Sequence, residues 1–327
     1  MNSFGKIFRV TIYGESHSKQ VGIVVDGVPC GIELSIDDFR KDLERRRSGK
    51  LGSTTRLEAD LPNIINGYFE GYTTGAPLHI YFENRNIRSK DYKNLLSSPR
   101  PGHADFTAKV KFNNFNDYRG GGYFSGRLTL GVVSAGVVAK KILKGVTIKA
   151  KLIELGGEEY SNNILKKAIS EKDSLGGVIE CSVDNLPIGL GEPFFNSVES
   201  LISHIIFSIP GVRGIEFGSG FNSARQKGSE HNDSIIDSNG KTLTNNCGGV
   251  NGGITNGNQL IFRVAVKPTS SIGKVQNTYN FDTDSVQSLE IEGRHDTAFV
   301  LRVPVVVEAV TAIVLADLKF INSVSSN

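Results

Sequence analysis

Arg100-Pro-Gly-His-Ala-Asp105 and Gly293-Arg-His-Asp296 each crowd an arginine, a histidine and an aspartate into one short segment. Near the N-terminus, Gly14-Glu-Ser-His17 sets another histidine beside a carboxylate and a hydroxyl. A histidine gives or takes a proton near neutral pH, a carboxylate accepts one, and a guanidinium holds an anion. Glycine and proline stiffen the turns that carry these groups, and such loops position reactive side chains on a rigid scaffold. His17, His103 and His295 differ from His79 and His204, which stand in apolar surroundings, and from His231 in a polar loop. Proton-transfer chemistry on a small anionic molecule is what these segments point to.

Arg40, Lys41, Arg45, Arg46, Arg47, Lys50 and Arg56 fall within one stretch. Such a run is either a solvated helix face or a device for capturing phosphate or carboxylate, which guanidinium matches bidentately. Arg100, Arg127 and Arg294, in glycine-bearing loops, add weight to the second reading. The segment Gly120-Gly-Gly-Tyr-Phe-Ser-Gly-Arg127 runs into an apolar stretch, where amides at a helix start can meet an anion. Gly248 to Gly257 is the richest glycine run and fits neither G-x-x-x-x-G-K-[ST] nor G-x-G-x-x-G. It reads as paired hairpin turns, or as backbone brought close to a flat cofactor. No serine or cysteine nucleophile with a paired base is apparent.

The elements that must position these groups are legible in outline. Phe8 to Tyr13 alternates as a strand and feeds the Gly-Glu-Ser-His loop, and Val21 to Val28 reads as a second strand ended by Pro29. Ser35-Ile-Asp-Asp38 has the form of a capping box, and Ile36, Phe39 and Leu43 share one face of the helix that follows. That helix brings Arg45, Arg46 and Arg47 to its C-terminal end, where cations suit the dipole. The hydroxyl-rich loop Ser48 to Thr55 comes next. Leu128 to Leu143 is apolar nearly all round and rich in small residues, which predicts a helix packed on several sides. Val198 to Ile209 reads as a helix stopped by Pro210-Gly211, Gln259 to Lys267 as a strand, and Val303 to Ile321 as the last long helix. The polar stretch Gly156 to Gly177 reads as an insertion or a surface excursion, not as a domain boundary. Strands and buried helices interleave without a linker, which predicts one α+β domain over residues 1–327.

Hydrophobic content of 39% and charged content of 22% are those of a soluble globular chain. A net charge of +3 gives no whole-chain case for nucleic acid or a membrane surface. The basic run Arg45 to Arg47 also lacks the interleaved aromatics of an RNA-binding module. Three cysteines without a C-x-x-C spacing argue against a zinc site or disulfide framework and for reduced, cytoplasmic thiols, so no metal is expected. Lys6, Arg9 and Glu15 interrupt any apolar leader, and Val303 to Ala316 is too short to span a bilayer and contains Glu308. Neither a signal peptide nor a membrane anchor is therefore expected.

Taken in order, the motifs above resemble those of chorismate synthase. The resemblance adds Leu43-x-Arg-Arg-Arg47, Thr73-Thr-Gly-x-Pro77, Asp117-Tyr-Arg-Gly-Gly-Gly122 and Gly252-Gly-Ile-Thr-Asn-Gly257. It continues through Val264-Ala-Val-Lys-Pro-Thr-Ser-Ser-Ile272 and ends in Glu308-Ala-x-x-Ala-Ile-Val-Leu-Ala-Asp317, so it spans nearly the whole chain. It implies a β-α-β sandwich with helices between antiparallel sheets, assembled as a homotetramer. It implies conversion of 5-enolpyruvylshikimate 3-phosphate to chorismate and phosphate, a trans 1,4-elimination within aromatic amino-acid biosynthesis. It further implies a need for reduced FMN without net redox change, the flavin lending an electron as phosphate departs and recovering it.

Carried over by motif, His17 protonates the departing phosphate, His103 supplies a proton that stabilises the reduced flavin, and Asp296, working with a flavin nitrogen, assists removal of the ring proton. Arg46, Arg100, Arg127 and Arg294 hold the substrate's phosphate and carboxylates, with Arg294 also against the cofactor. Ser125, Pro210, Gly211, Gly252, Lys267, Pro268, Thr269, Ser270 and Ser271 line FMN. With no dinucleotide fingerprint, the chain is expected not to use NADPH itself and to depend on an external flavin reductant. The sequence departs from the family pattern at Ser18, Ser48, Tyr123, Phe124 and Leu128, and at Thr297-Ala298. Gly52 stands where a second substrate-binding arginine is usual. These departures motivate the alternative of a non-catalytic or weakly active flavin- or anion-binding relative.

Overall fold

A computed structural model describes residues 2–56, 58–86, 95–291, 293 and 295–325. The first sheet contains β1 (Ser3–Phe4), β2 (Arg9–Gly14), β3 (Gln20–Asp26), β4 (Asn63–Asn66) and, after the hairpin β5 (Tyr68–Phe69) and β6 (Tyr72–Thr73), β7 (Leu78–Glu83). Its order is β1-β2-β3-β7-β4, antiparallel throughout. Register puts Val21, Ile23 and Val25 opposite Phe82, Ile80 and Leu78, and all six side chains are fully buried. Strand alternation thus presents one apolar face to the interior.

The second sheet contains β8 (Thr147–Leu155), β9 (Gly177–Asp184), β10 (Val212–Phe217) and, after the hairpin β11 (Val250–Asn251) and β12 (Ile254–Thr255), β13 (Leu260–Val266). Its order is β10-β13-β9-β8, again antiparallel. A last hairpin, β14 (Gln276–Asn280) with β15 (Ser285–Leu289), stands apart from both sheets.

The helices are α1 (Ile36–Arg46), α2 (Asp105–Lys111), α3 (Thr129–Ile142), α4 (Asn162–Ser170), α5 (Val198–Ile206), α6 (Gly228–His231) and α7 (Pro304–Ser325). Helix α3 packs on β3 and β7 of the first sheet, α7 packs on β8 and β9 of the second, and the two helices pack on each other. The result is the expected sandwich of helices between antiparallel sheets. A side chain at Gly136 would begin 2.4 Å from Ala309 Cβ, so a residue without one lets α3 and α7 touch closely. Ser35 and Asp38 form the capping box at the start of α1, and Arg45 and Arg46 occupy its last turn.

The polar stretch after Gly156 is not a mere excursion. It holds α4, capped by Ser161, with Leu165 and Ala168 buried. Two apolar positions on a short helix suffice to dock it, a signal too sparse for periodicity to reveal. Among the described residues no helix is long and apolar enough to cross a membrane.

Candidate active site

A cavity of about 940 Å³ opens where eight segments meet, one of them β2 and the loop after it, through Ile12 and Ser16. The seven others are the C-terminal end of α1, the loop 48–60, the turn 100–107, the glycine turn 120–126 with the start of α3, the turn 207–213, the segment 267–271 after β13, and the approach to α7. Its described lining carries seven cationic side chains, Arg46, Arg56, Arg100, Arg127, Arg213, Lys267 and Arg302, against the carboxylates of Glu58, Asp60 and Asp296. This excess of positive charge in a concave, partly apolar site suits a polyanionic ligand.

Two of the arginines share one counter-ion. Asp60 Oδ1 accepts from Arg127 Nη1 at 2.9 Å and its Oδ2 from Arg46 Nη1 at 3.4 Å. Arg46 also donates to Thr129 Oγ1 and to the Gly126 carbonyl, each at 3.0 Å. Burial pulls the Arg46 guanidinium down to about 9, with Asp60 opposing the shift, so it stays charged at neutral pH. Arg127 Nε donates to Asn84 Oδ1, and its Nη2 donates to the Glu83 carbonyl at 3.2 Å. Arg56 binds Glu58 at 2.9 Å and Ser16 Oγ at 3.2 Å.

The Arg-Pro-Gly-His-Ala-Asp turn closes on itself. Arg100 forks onto Asp105 with two bonds of 2.7 Å and reaches Ser271 Oγ at 2.9 Å. His103 Nδ1 lies 2.6 Å from Asp105 Oδ1 and 3.0 Å from Arg100 Nη2. Burial alone would raise the Asp105 carboxyl, but the bonds from Arg100 and His103 hold it well below the ordinary carboxylate range. A side chain at Gly121 would begin 3.6 Å from His103 Nε2, so that nitrogen faces the glycine turn.

His17 stands on the other side of the same turn, 6% exposed, and is not among the lining residues. A Cβ at Gly120 would sit 2.8 Å from His17 Nε2 and 2.6 Å from Ser16 Oγ. Gly120 and Gly121 adopt φ of +59° and +81°, so bare left-handed backbone separates the two imidazoles. Asp117, gripped by Arg119 through bonds of 2.8 and 2.7 Å, lies within electrostatic reach of His17. Asp296 accepts from Thr54 N–H at 2.9 Å and from Arg302 Nη2 at 2.6 Å.

Part of the lining is apolar. Ile209, Pro210, Gly211, Pro268, Phe299, Val306 and Val310 supply apolar surface. Lys267 N–H donates to the Gly211 carbonyl at 2.8 Å, tying the two segments together. Burial, with Arg213 adding to it, pushes the Lys267 ammonium below its usual value. Among the described residues the buried Thr269 Oγ1 has no hydrogen-bond partner, a polar group that a bound ligand would satisfy. This donor set fits FMN.

A sequence model of the chorismate synthase family matches residues 8–320. The chain belongs to the chorismate synthase family. A curated chorismate synthase from Chitinophaga pinensis is 58% identical over 327 residues, covering 100% of this chain and 98% of its own. Those from Dehalococcoides mccartyi and Methanocaldococcus jannaschii are 46% and 44% identical, each covering 97% of this chain and 96% of its own. A crystal structure of a chorismate synthase superposes with a TM-score of 0.73 at 25% identity, over 96% of this chain and 92% of that one.

Of the residues that the chorismate synthase motifs single out, Arg46, Arg100, His103, Arg127 and Asp296 line the cavity. Ser125, Pro210, Gly211 and the run from Lys267 to Ser271 line it too. His17 lies behind Gly120. Gly252 is exposed in the turn between β11 and β12 and is not a lining residue, which is the hairpin reading of that glycine run. Arg294 lies outside the described residues. Asp60, Arg213 and Arg302 are not singled out by the sequence because no motif marks them, and the arginine partners of Asp60 come from other segments. Gly52 is buried with φ +79°, and a Cβ there would begin 2.6 Å from Leu165 Cδ1.

Proposed function

We propose that this lyase converts 5-enolpyruvylshikimate 3-phosphate to chorismate and phosphate by a trans 1,4-elimination, with reduced FMN held in the cavity. The observation that carries this reading is the cavity's seven cationic groups against three carboxylates. A substrate bearing one phosphate and two carboxylates needs that balance, most of all as phosphate departs. The chemistry that reduced FMN supplies when bound is a reversible electron loan, so no net oxidation occurs.

Arg46, Arg100 and Arg127 hold the substrate's anionic groups, and Arg294 is assigned with them by its motif. His17 protonates the departing phosphate from behind the glycine turn, where its Nε2 lies against Gly120 backbone that carries no side chain. When protonated, His103 donates Nδ1–H to Asp105 and keeps a proton on Nε2 for the flavin side of the site. Asp296 assists removal of the ring proton. Ser125, Pro210, Gly211 and Lys267 to Ser271 hold the cofactor, and Gly252 joins them if a second copy brings its hairpin there. A homotetramer is supported by Phe194, Phe195 and Phe221, each more than three-quarters exposed. We read residues 1–327 as one domain, supported by a single large buried cluster running from Phe8 to Leu318. The unpaired cysteines support a reducing, cytoplasmic setting, and the missing dinucleotide fingerprint supports an external flavin reductant rather than NADPH.

The test is anaerobic phosphate release with chemically reduced FMN. Wild type is expected to turn over, while His103→Ala and Asp296→Ala slow by about 100-fold or more. Absence of turnover by wild type refutes the activity, and unaffected variants refute the roles.

A further inference from the structure

Among the described cavity cations, Arg56, Arg213 and Arg302 have no task in the motif-based roles, and of these Arg302 is the one bonded to Asp296. Its side chain is only 11% exposed and is aimed at a carboxylate, not at open space. Nη2 donates to Asp296 Oδ2 at 2.6 Å, while Thr54 N–H donates to Oδ1 at 2.9 Å. Both oxygens are thereby pinned and the carboxylate plane is set. A carboxylate has about four acceptor positions, so lone pairs remain for a further proton. The guanidinium is held in turn: Nη1 reaches the Arg46 carbonyl at 3.5 Å, and the Phe299 ring lies 5.3 Å from its central carbon. Phe299 and Arg302 belong to one short helical turn that runs directly into α7. Through Arg302, a carboxylate carried on a loop is referenced to the helical layer and to the end of α1.

We propose that Arg302 is the positioning residue for Asp296, turning an unoccupied lone pair of its carboxylate toward the ring C–H of the substrate. The inference rests on the reading of Asp296 as the group that assists ring-proton removal. In that step the C–H bond breaks, its electron pair enters a new ring double bond, and the existing double bond shifts. Over the elimination as a whole the phosphate leaves with the C–O pair, the electron that FMN lends returns to it, and the ring proton is taken up with the help of Asp296. Lysine at position 302 would keep the charge but lose the planar fork that reaches Asp296 and Arg46 together.

The experiment compares wild type, Arg302→Lys, Arg302→Gln, Asp296→Asn and Arg302→Lys/Asp296→Asn under anaerobic turnover. Each is assayed with protiated substrate and with substrate deuterated at the ring position that loses its proton, and flavin binding is followed by fluorescence. Expected for Arg302→Lys are a kcat lower by about 10- to 100-fold, a KM within about threefold of wild type, and unchanged flavin binding. The primary isotope effect on kcat should rise as proton removal becomes limiting. The double variant should be no slower than Asp296→Asn alone, since both changes disable one device. A raised KM with unchanged kcat makes Arg302 a substrate ligand and overturns the proposal, as does a slow Arg302→Lys with the wild-type isotope effect. If Asp296→Asn is slow while Arg302→Lys matches wild type, only this inference fails. If Asp296→Asn itself is fully active, the reading of Asp296 fails and takes the inference with it.

Discussion

Replacing Asp60 by asparagine should destabilise the protein out of proportion to the one charge removed. Asp60 is the shared counter-ion of Arg46 and Arg127, and all three side chains are at most 7% exposed. Asparagine keeps the size but leaves two buried guanidiniums facing each other with nothing between them to neutralise either. Breaking a buried ion pair by removing one partner costs about 3–5 kcal/mol. Unfolding entropy near 2.1 cal/mol/K per residue, taken over 327 residues, makes each kcal/mol worth about 1.5 °C. The melting temperature of Asp60→Asn should therefore fall by about 4–7 °C at neutral pH and low salt, read by calorimetry on the ligand-free protein. Inorganic phosphate should narrow the gap, because a bound anion takes over the neutralising task that the variant has lost. A variant melting within about 1 °C of wild type would refute the idea that this carboxylate holds the two arginines in place.

Asp105→Asn should show a stability cost with a defined pH window. The folded carboxyl is held below its unfolded value of about 3.9, so its stabilisation is present above that pH and lost as pH falls through the folded value. The melting-temperature gap between wild type and variant should be level through mild acid and shrink below about pH 4; a gap that grows there contradicts the sign. Gly52→Arg, which restores the residue usual in the family, should lower stability and fail to raise kcat/KM. The backbone at φ +79° is strained for a side chain by about 1–2 kcal/mol, and Leu165 occupies the space beside it. A Gly52→Arg protein that melts normally and turns over faster would overturn that account.

The sequence by itself determined the element types and the chemistry of the loops. Period-two burial in β13, the capping box at Ser35, and the all-round apolar character of α3 each depend on neighbours within a few residues, so local pattern carries them. The crowded Arg, His and Asp segments announced proton transfer on an anion for the same reason. Only the tertiary structure decided which groups share a space. Asp60 joins Arg46 to Arg127, Arg302 joins Asp296 to Arg46, and Gly120 divides His17 from the cavity, each linking segments that sequence distance keeps apart. Gly252 marks the same boundary from the other side, a residue of the right kind whose hairpin points elsewhere in this chain. Side-chain periodicity is written residue by residue, whereas a counter-ion is chosen by how two sheets close over a layer of helices, and no short stretch of chain contains that information.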